Sequence, residues 1–228
     1  MECPRATVPR PQPRQPEDTV ALLHRRLRTW GKASRRSLPW RCAPTPFRVL
    51  IAELCLRKTG ARLAEPVYRS IIHSCPTVQD LARAHPKQLE PLFRPIGLTS
   101  RSSGLIDLAR DLVRRHGGEV PSTYEELVAL PGVGPYIANA VLCFAFKRAV
   151  PIVDGSVKRL LGRLYGPSPL SERSAWRLAE RLVPRRQADL YNYTLLDLAA
   201  KLCRPTRPLC HDCPLRETCE WYRREGRP

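Results

Sequence analysis

Leu130-Pro131-Gly132-Val133-Gly134-Pro135-Tyr136-Ile137-Ala138 is the stretch on which the fold turns. It lies between two helical patterns. Upstream, Ser122-Thr123-Tyr124-Glu125 has the order of a capping box and opens a short helix running to Leu130. Downstream, the apolar run from Pro135 to Phe146 reads as a second helix. Gly132 and Gly134 permit a tight turn and leave backbone N–H groups uncovered. The following helix adds its positive N-terminal end, so the turn can seat a phosphate oxygen. Such contacts hold DNA in place without reading bases. The same residues also suit a plain connection in which glycine serves only for tightness.

Outward from this turn, helical spacing dominates. Val20, Leu23, Leu27 and Trp30 follow an amphipathic stripe. Phe47 to Leu56 is nearly continuous apolar sequence interrupted by one acid, Glu53. Further helices are expected over Arg62–Ile72, from an N-cap at Thr77 to Ala84, and over Pro86–Phe93. A longer one carries Leu105, Leu108, Leu112 and Val113 and stops at Gly117-Gly118. The remainder cover Ser156–Tyr165, Glu172–Leu182 and Leu190–Leu202. No alternating strand pattern and no solenoid repeat is present. The expected fold class is all-α, with roughly ten to twelve helices on short loops.

Composition narrows the partner. The chain has 228 residues, with 39 Lys and Arg against 21 Asp and Glu, a net charge of +18. A globular chain this basic points to a polyanion, above all nucleic acid. No apolar run is long enough for a membrane span. Residues 1–16 alternate Pro and Arg, lack the apolar core of a secretory signal, and read as a disordered tail. The expected setting is therefore the cytoplasm, beside the nucleoid, where thiols stay reduced. Nine cysteines, an odd number, do not make a complete disulfide framework. Four of them, Cys203, Cys210, Cys213 and Cys219, form a C-x6-C-x2-C-x5-C cluster that reads as a metal site. Zinc and an iron–sulfur cluster both remain open on spacing.

Beyond the hairpin stands Ile152-Val153-Asp154-Gly155-Ser156-Val157-Lys158-Arg159-Leu160. Position alone makes Asp154 an N-cap, with Ser156 competing for the place. Hairpin and aspartate together resemble the helix-hairpin-helix DNA glycosylases related to endonuclease III and MutY, whose V-D-x-x-V-x-R motif follows the hairpin. The resemblance implies Asp154 as the catalytic carboxylate, stabilising the positive charge that builds on deoxyribose when a base leaves. Members with strand-cleaving activity carry Lys where this chain has Tyr136. A phenol with an ordinary pKa near ~10 is a poor substitute for that amine, so a monofunctional enzyme is expected. Tyr136 resembles the thymine glycosylases that act on T·G mismatches.

Ile51-Ala52-Glu53-Leu54-Cys55-Leu56-Arg57-Lys58-Thr59 resembles the first barrel helix of the family. Glu53 is accordingly a general acid/base or a contact to the flipped base. Arg57 and Lys58 stand where MutY and endonuclease III carry Gln, again as in the T·G enzymes. Ile96-Gly97-Leu98 matches a second wedge, with Leu98 as the intercalating residue. Leu38-Pro39-Trp40-Arg41 resembles a stretch common in MutY-like proteins. For the four cysteines the resemblance implies a structural [4Fe–4S] cluster. That would bring the charge to about +16.

The family fold implies two helical domains flanking a DNA cleft. Residues 37–148 would form a six-helix domain with the hairpin, and 17–36 with 149–225 the cluster domain. Gly132, Val133, Gly134, Arg57, Lys58 and Leu98 are the expected DNA contacts. The expected enzyme is a monomer on duplex DNA that removes thymine or uracil opposite guanine and leaves an abasic site. Nine residues follow Cys219, too few for a MutY-type C-terminal domain. Two alternatives stand beside it: an adenine glycosylase acting opposite guanine or 8-oxoguanine, and a non-catalytic iron–sulfur DNA-binding protein.

Overall fold

The computed structural model describes residues 16–94, 101–166 and 169–225. The Pro/Arg tail, but for Pro16, and the expected wedge at Leu98 lie outside them. Among the described residues every regular element is helical, as the apolar spacing predicts. No helix there is long and apolar enough to cross a membrane.

The buried side chains form two cores. The larger is built by α2 (Pro39–Cys42), α3 (Pro46–Leu56), α4 (Ala61–Ser74), α5 (Val78–Arg83), α6 (Pro86–Phe93), α7 (Arg101–His116), α8 (Tyr124–Val128) and α9 (Pro135–Phe144). The smaller gathers Leu23 and Leu27 of α1 (Pro16–Ser34) with side chains of α10 (Gly155–Tyr165), α11 (Glu172–Leu182) and α12 (Ala188–Lys201). The chain thus leaves the smaller core after its first helix and returns to it after residue 152. Helix α12 touches α1, α10 and α9, and places Tyr193 against the larger core and Leu195 in the smaller. A last helix, α13 (Glu220–Glu225), packs on α10 behind the cysteine loop.

Local chemistry explains the ends that matter. The α7 helix stops where expected: Gly117 and Gly118 have φ of 62° and 87°, and the Gly118 N–H bonds the Leu112 carbonyl at 3.0 Å. The cap before α8 falls one residue later than the sequence suggests. Thr123, not Ser122, is the N-cap, and its hydroxyl accepts from the Glu126 N–H at 3.4 Å. The apolar helix α9 ends at Phe144 rather than Phe146. Lys147 turns to φ 58° and the Arg148 N–H returns to the Leu142 carbonyl at 2.9 Å. Helices α2 and α13 have no counterpart in the apolar pattern.

Candidate active site

Glu53 from α3, Tyr136 from α9 and Asp154 from the start of α10 line one cavity of 390 Å³, with Trp40, Arg57 and Lys58 around it. Each is there for a local reason. In α3 every residue from Val49 to Cys55 is buried, so the single acid of that run has no solvent face. Tyr136 sits in the first turn of α9, directly after the hairpin. Asp154 ends an extended segment and starts α10.

Asp154 is the N-cap of α10. Its Oδ1 accepts from the Val157 N–H at 2.7 Å and from the Ser156 hydroxyl at 2.7 Å. Ser156 therefore supports the cap instead of competing for it. Both bonds end on Oδ1, and neither occupies Oδ2. The capping role and a place on the cavity wall are held by the same side chain.

Glu53 is 4% exposed, and its Oε2 is buried without a hydrogen-bond partner. Burial pushes its carboxyl up to about 7; a hydrogen bond from Tyr136 and the charge of Arg41 pull the other way, and Asp154 adds to the rise. Burial also lifts the Tyr136 phenol well above its usual range, helped by the negative charges of Glu53 and Asp154. Tyr136 thus stays protonated and donates to Glu53. The only lysine among the described lining residues is Lys58, exposed and at φ 53°.

The hairpin connects α8 to α9. Gly132 takes φ 76°, a left-handed conformation that favours glycine. Its carbonyl accepts from Arg57 Nη1 at 3.2 Å, so the hairpin and the basic pair after α3 meet directly. Val133 turns its side chain into the core and gives its N–H to the Leu130 carbonyl at 3.2 Å. Among the described residues Gly132 and Gly134 give their N–H groups to no backbone carbonyl, which leaves them and the first turn of α9 as donors facing outward.

One cluster was not visible in the sequence. Asp197 of α12 is fully buried beneath the cavity. It accepts two bonds from Arg41, at 2.8 and 3.0 Å, and two from Arg36, from its backbone N–H at 2.9 Å and its Nε at 2.5 Å. Burial pushes the Asp197 carboxyl up, but the two arginines outweigh it and hold it below the usual range. Arg41 lies over the Tyr193 ring at 4.3 Å, and that ring stacks on Phe144 at 3.8 Å. In the sequence Arg41 is marked only as the last residue of the Leu38–Arg41 stretch.

The four clustered cysteines lie in the loop after α12. The Cys213 thiol is pushed up to about 12 by burial first and then by the sulfurs of Cys203, Cys219 and Cys210, which are close enough to act on it. Arg163 ties the loop down. Its Nη1 approaches Cys203 Sγ at 3.5 Å and its carbonyl accepts from Cys219 Sγ at 3.3 Å. Its guanidinium also reaches the Arg204 and Pro205 carbonyls at 2.6 and 2.9 Å and stacks on Trp221. Among the described residues, no three His, Cys, Asp or Glu side chains are arranged to hold a metal ion. The donor set is nevertheless all sulfur, and Cys203 and Cys219 act on both Cys210 and Cys213.

Comparison with known proteins agrees with this geometry. The thymine-DNA glycosylase of Aeropyrum pernix is 37% identical over 212 residues, covering 89% of this chain and 95% of that protein. The adenine DNA glycosylase of Rattus norvegicus is 35% identical over 222 residues, but these cover only 43% of that longer protein. A solved thermostable thymine-DNA glycosylase is 29% identical and superposes with a TM-score of 0.85, over 91% of this chain and 98% of that one. Residues 51–185, the span that includes Glu53, the hairpin, Tyr136 and Asp154, match the HhH-GPD superfamily of base excision DNA repair proteins, and the chain belongs to that family.

Proposed function

We propose that the chain is a monofunctional DNA glycosylase that hydrolyses the N-glycosidic bond of thymine or uracil opposite guanine. The observation that carries this reading is the Glu53–Tyr136 pair. A neutral phenol bonded to a buried carboxyl occupies the place where a strand-cleaving relative needs a lysine. The thymine-DNA glycosylase of Aeropyrum pernix, similar along nearly its whole length, supports the substrate class.

In this reading the lesion base leaves the duplex and enters the cavity, a step that costs least for a mismatched base. Water adds to C1′ as the bond to the base nitrogen breaks. Asp154, with Oδ2 uncommitted, stabilises the positive charge on the sugar and takes the water's proton. Glu53, which titrates near neutral pH, hydrogen-bonds the leaving base and can supply a proton to it. Tyr136 holds Glu53 in position. Arg57 and Lys58 fill the gap in the stack, while the open N–H groups of Gly132 and Gly134 hold a phosphate. The larger core would be one domain, over residues 37–148, and the smaller core the other, over 17–36 and 149–225.

Three duplexes test the substrate: T·G, U·G and A·8-oxoG, with abasic sites revealed by alkali. Base release from T·G and U·G, with strand breaks only after alkali, is expected. Preference for the adenine duplex overturns this reading in favour of the adenine glycosylase.

Glu53 also makes a stability prediction. Its carboxyl holds its proton more tightly folded than unfolded, so its contribution is full below the ordinary 4.5 and declines as pH rises toward 7. Above that, the fold carries a buried charge costing about 3 kcal/mol. Glu53→Gln is therefore expected to leave the melting temperature near pH 4.5 unchanged and to raise it at pH 8. Base release should fall at both. Melting curves of the two proteins at the two pH values check this, and equal melting at pH 8 would sink it.

We infer further that Cys203, Cys210, Cys213 and Cys219 hold a [4Fe–4S] cluster. Their all-sulfur donor set and the Arg163 frame around them support it. When bound, the cluster supplies covalent cross-links to a loop with little core of its own. Purified protein is expected to contain about four iron and four acid-labile sulfide per chain. One zinc per chain and no sulfide would identify a zinc site. An enzyme with this substrate works at the chromosome.

A further inference from the structure

Helix α12 borders a second cavity on a different face. Tyr193, Leu196 and Ala200 line the catalytic cavity. Leu190 and Thr194 line a separate cavity of 290 Å³ between α12 and α1. At about 100° per residue the two sets point well apart around the helix. The floor of the second cavity includes Tyr191, 7% exposed, whose buried hydroxyl has no hydrogen-bond partner.

The rim is basic. Arg28 and Lys32 of α1 and Arg35 just beyond it stand at i, i+4 and i+7, and Arg186 faces them from the turn before α12. All four are exposed, and no Asp or Glu lines the cavity. Among the described residues none of the four is in an ion pair. Their neighbours behave otherwise: Arg36 is bound to Asp197, and Lys201 donates to the Ser34 carbonyl. Gln187, at φ 58°, gives α12 no side-chain cap, and the acid of its first turn, Asp189, is bound to Lys147.

Arg28 and Lys32 stand about 6 Å apart along α1, and Arg35 follows its last residue, a spread wider than one small anion. A DNA strand presents a phosphate at every nucleotide, a repeating row of anions that such a spread of cations can meet at about two or three points. We propose that this cavity and its basic rim form a second DNA-backbone site. It takes phosphates of duplex outside the segment held in the catalytic cleft. The proposal rests on the chain being a DNA repair enzyme, not on which base it removes.

The test uses the full-length holoprotein and the variant Lys32→Glu/Arg35→Glu/Arg186→Glu, with Lys32→Gln/Arg35→Gln as a milder control. Two quantities are compared with wild type. One is single-turnover base release, enzyme in excess, from a short T·G duplex. The other is the salt dependence of binding to a long lesion-free duplex. The expected result is unchanged release and a log–log salt slope shallower by about 2 to 3, at about 0.9 for each phosphate no longer engaged. The milder variant should lie between. An unchanged slope overturns the proposal. So does a parallel loss of release on the short duplex, which would assign these cations to the catalytic cleft. A third arm adds tripolyphosphate. If it raises the wild-type melting temperature but not the variant's, while the slopes agree, the site takes free anions and not DNA. Absence of release from wild type on every duplex would instead strike the proposed function and leave the slope comparison standing.

Discussion

Asp154→Asn is expected to slow base release by about 10³-fold while leaving the melting temperature nearly unchanged. The two effects separate because the residue has two jobs on two oxygens. Oδ1 caps α10 through Val157 and is braced by Ser156. Asn supplies the same acceptor, and Asn and Asp are about equal as N-caps. What Asn lacks is the charge, and stabilising a developing cation in a partly buried site is worth about 3 to 4 kcal/mol. Asp154→Ala should lose the same rate and also about 1 kcal/mol of stability. Undiminished release by the Asn variant would remove Asp154 from the chemistry. If wild type releases no base from any duplex, the non-catalytic reading takes its place.

The largest stability effect is expected at Asp197. Replacing it with Ala should cost about 3–5 kcal/mol, because the Arg41 guanidinium remains buried without its hydrogen-bonded counter-charge. Adding Arg41→Met should regain most of that loss, since the second change removes the stranded charge. Denaturant unfolding of the two single variants and the double variant measures the coupling. Additive losses would contradict the account. Acid should reproduce the effect in wild type. The arginines hold Asp197 below its ordinary 3.8, so its stabilisation is full above that value and is lost as pH falls through the folded pKa.

The unequal legibility of these two acids has a physical cause. Asp154 lies in a local motif, 18 residues after Tyr136, beside a helix start with its own capping signal. Asp197 is one of several polar residues in α12, beside Asp189, Asn192 and Thr194, and its partners Arg41 and Arg36 lie 156 and 161 residues away. No short window of sequence contains that relation. The helices divide the same way. Pro86–Phe93 and Glu172–Leu182 have the expected bounds because a proline opens one and an acid-started amphipathic stripe defines the other. Helix α2 spans four residues, too few for a period to register, and α13 has no buried residue and hence no apolar stripe. Glu53 was legible as an anomaly, an acid inside an apolar run. Its contact with Tyr136 was not, because it depends on how α3 meets α9.

The separation of α1 from its partners has a consequence for biosynthesis. Leu23 and Leu27 are finished early, yet the side chains they pack on include Leu195 and Leu198. Some 170 residues must be translated between them, about 10–30 s at ordinary ribosomal rates. During that interval the hairpin-bearing core can close, while the first helix waits with its leucine stripe uncovered. A nascent chain stalled before α12 should therefore expose that stripe to chaperones or to proteolysis even after most of the protein has been made.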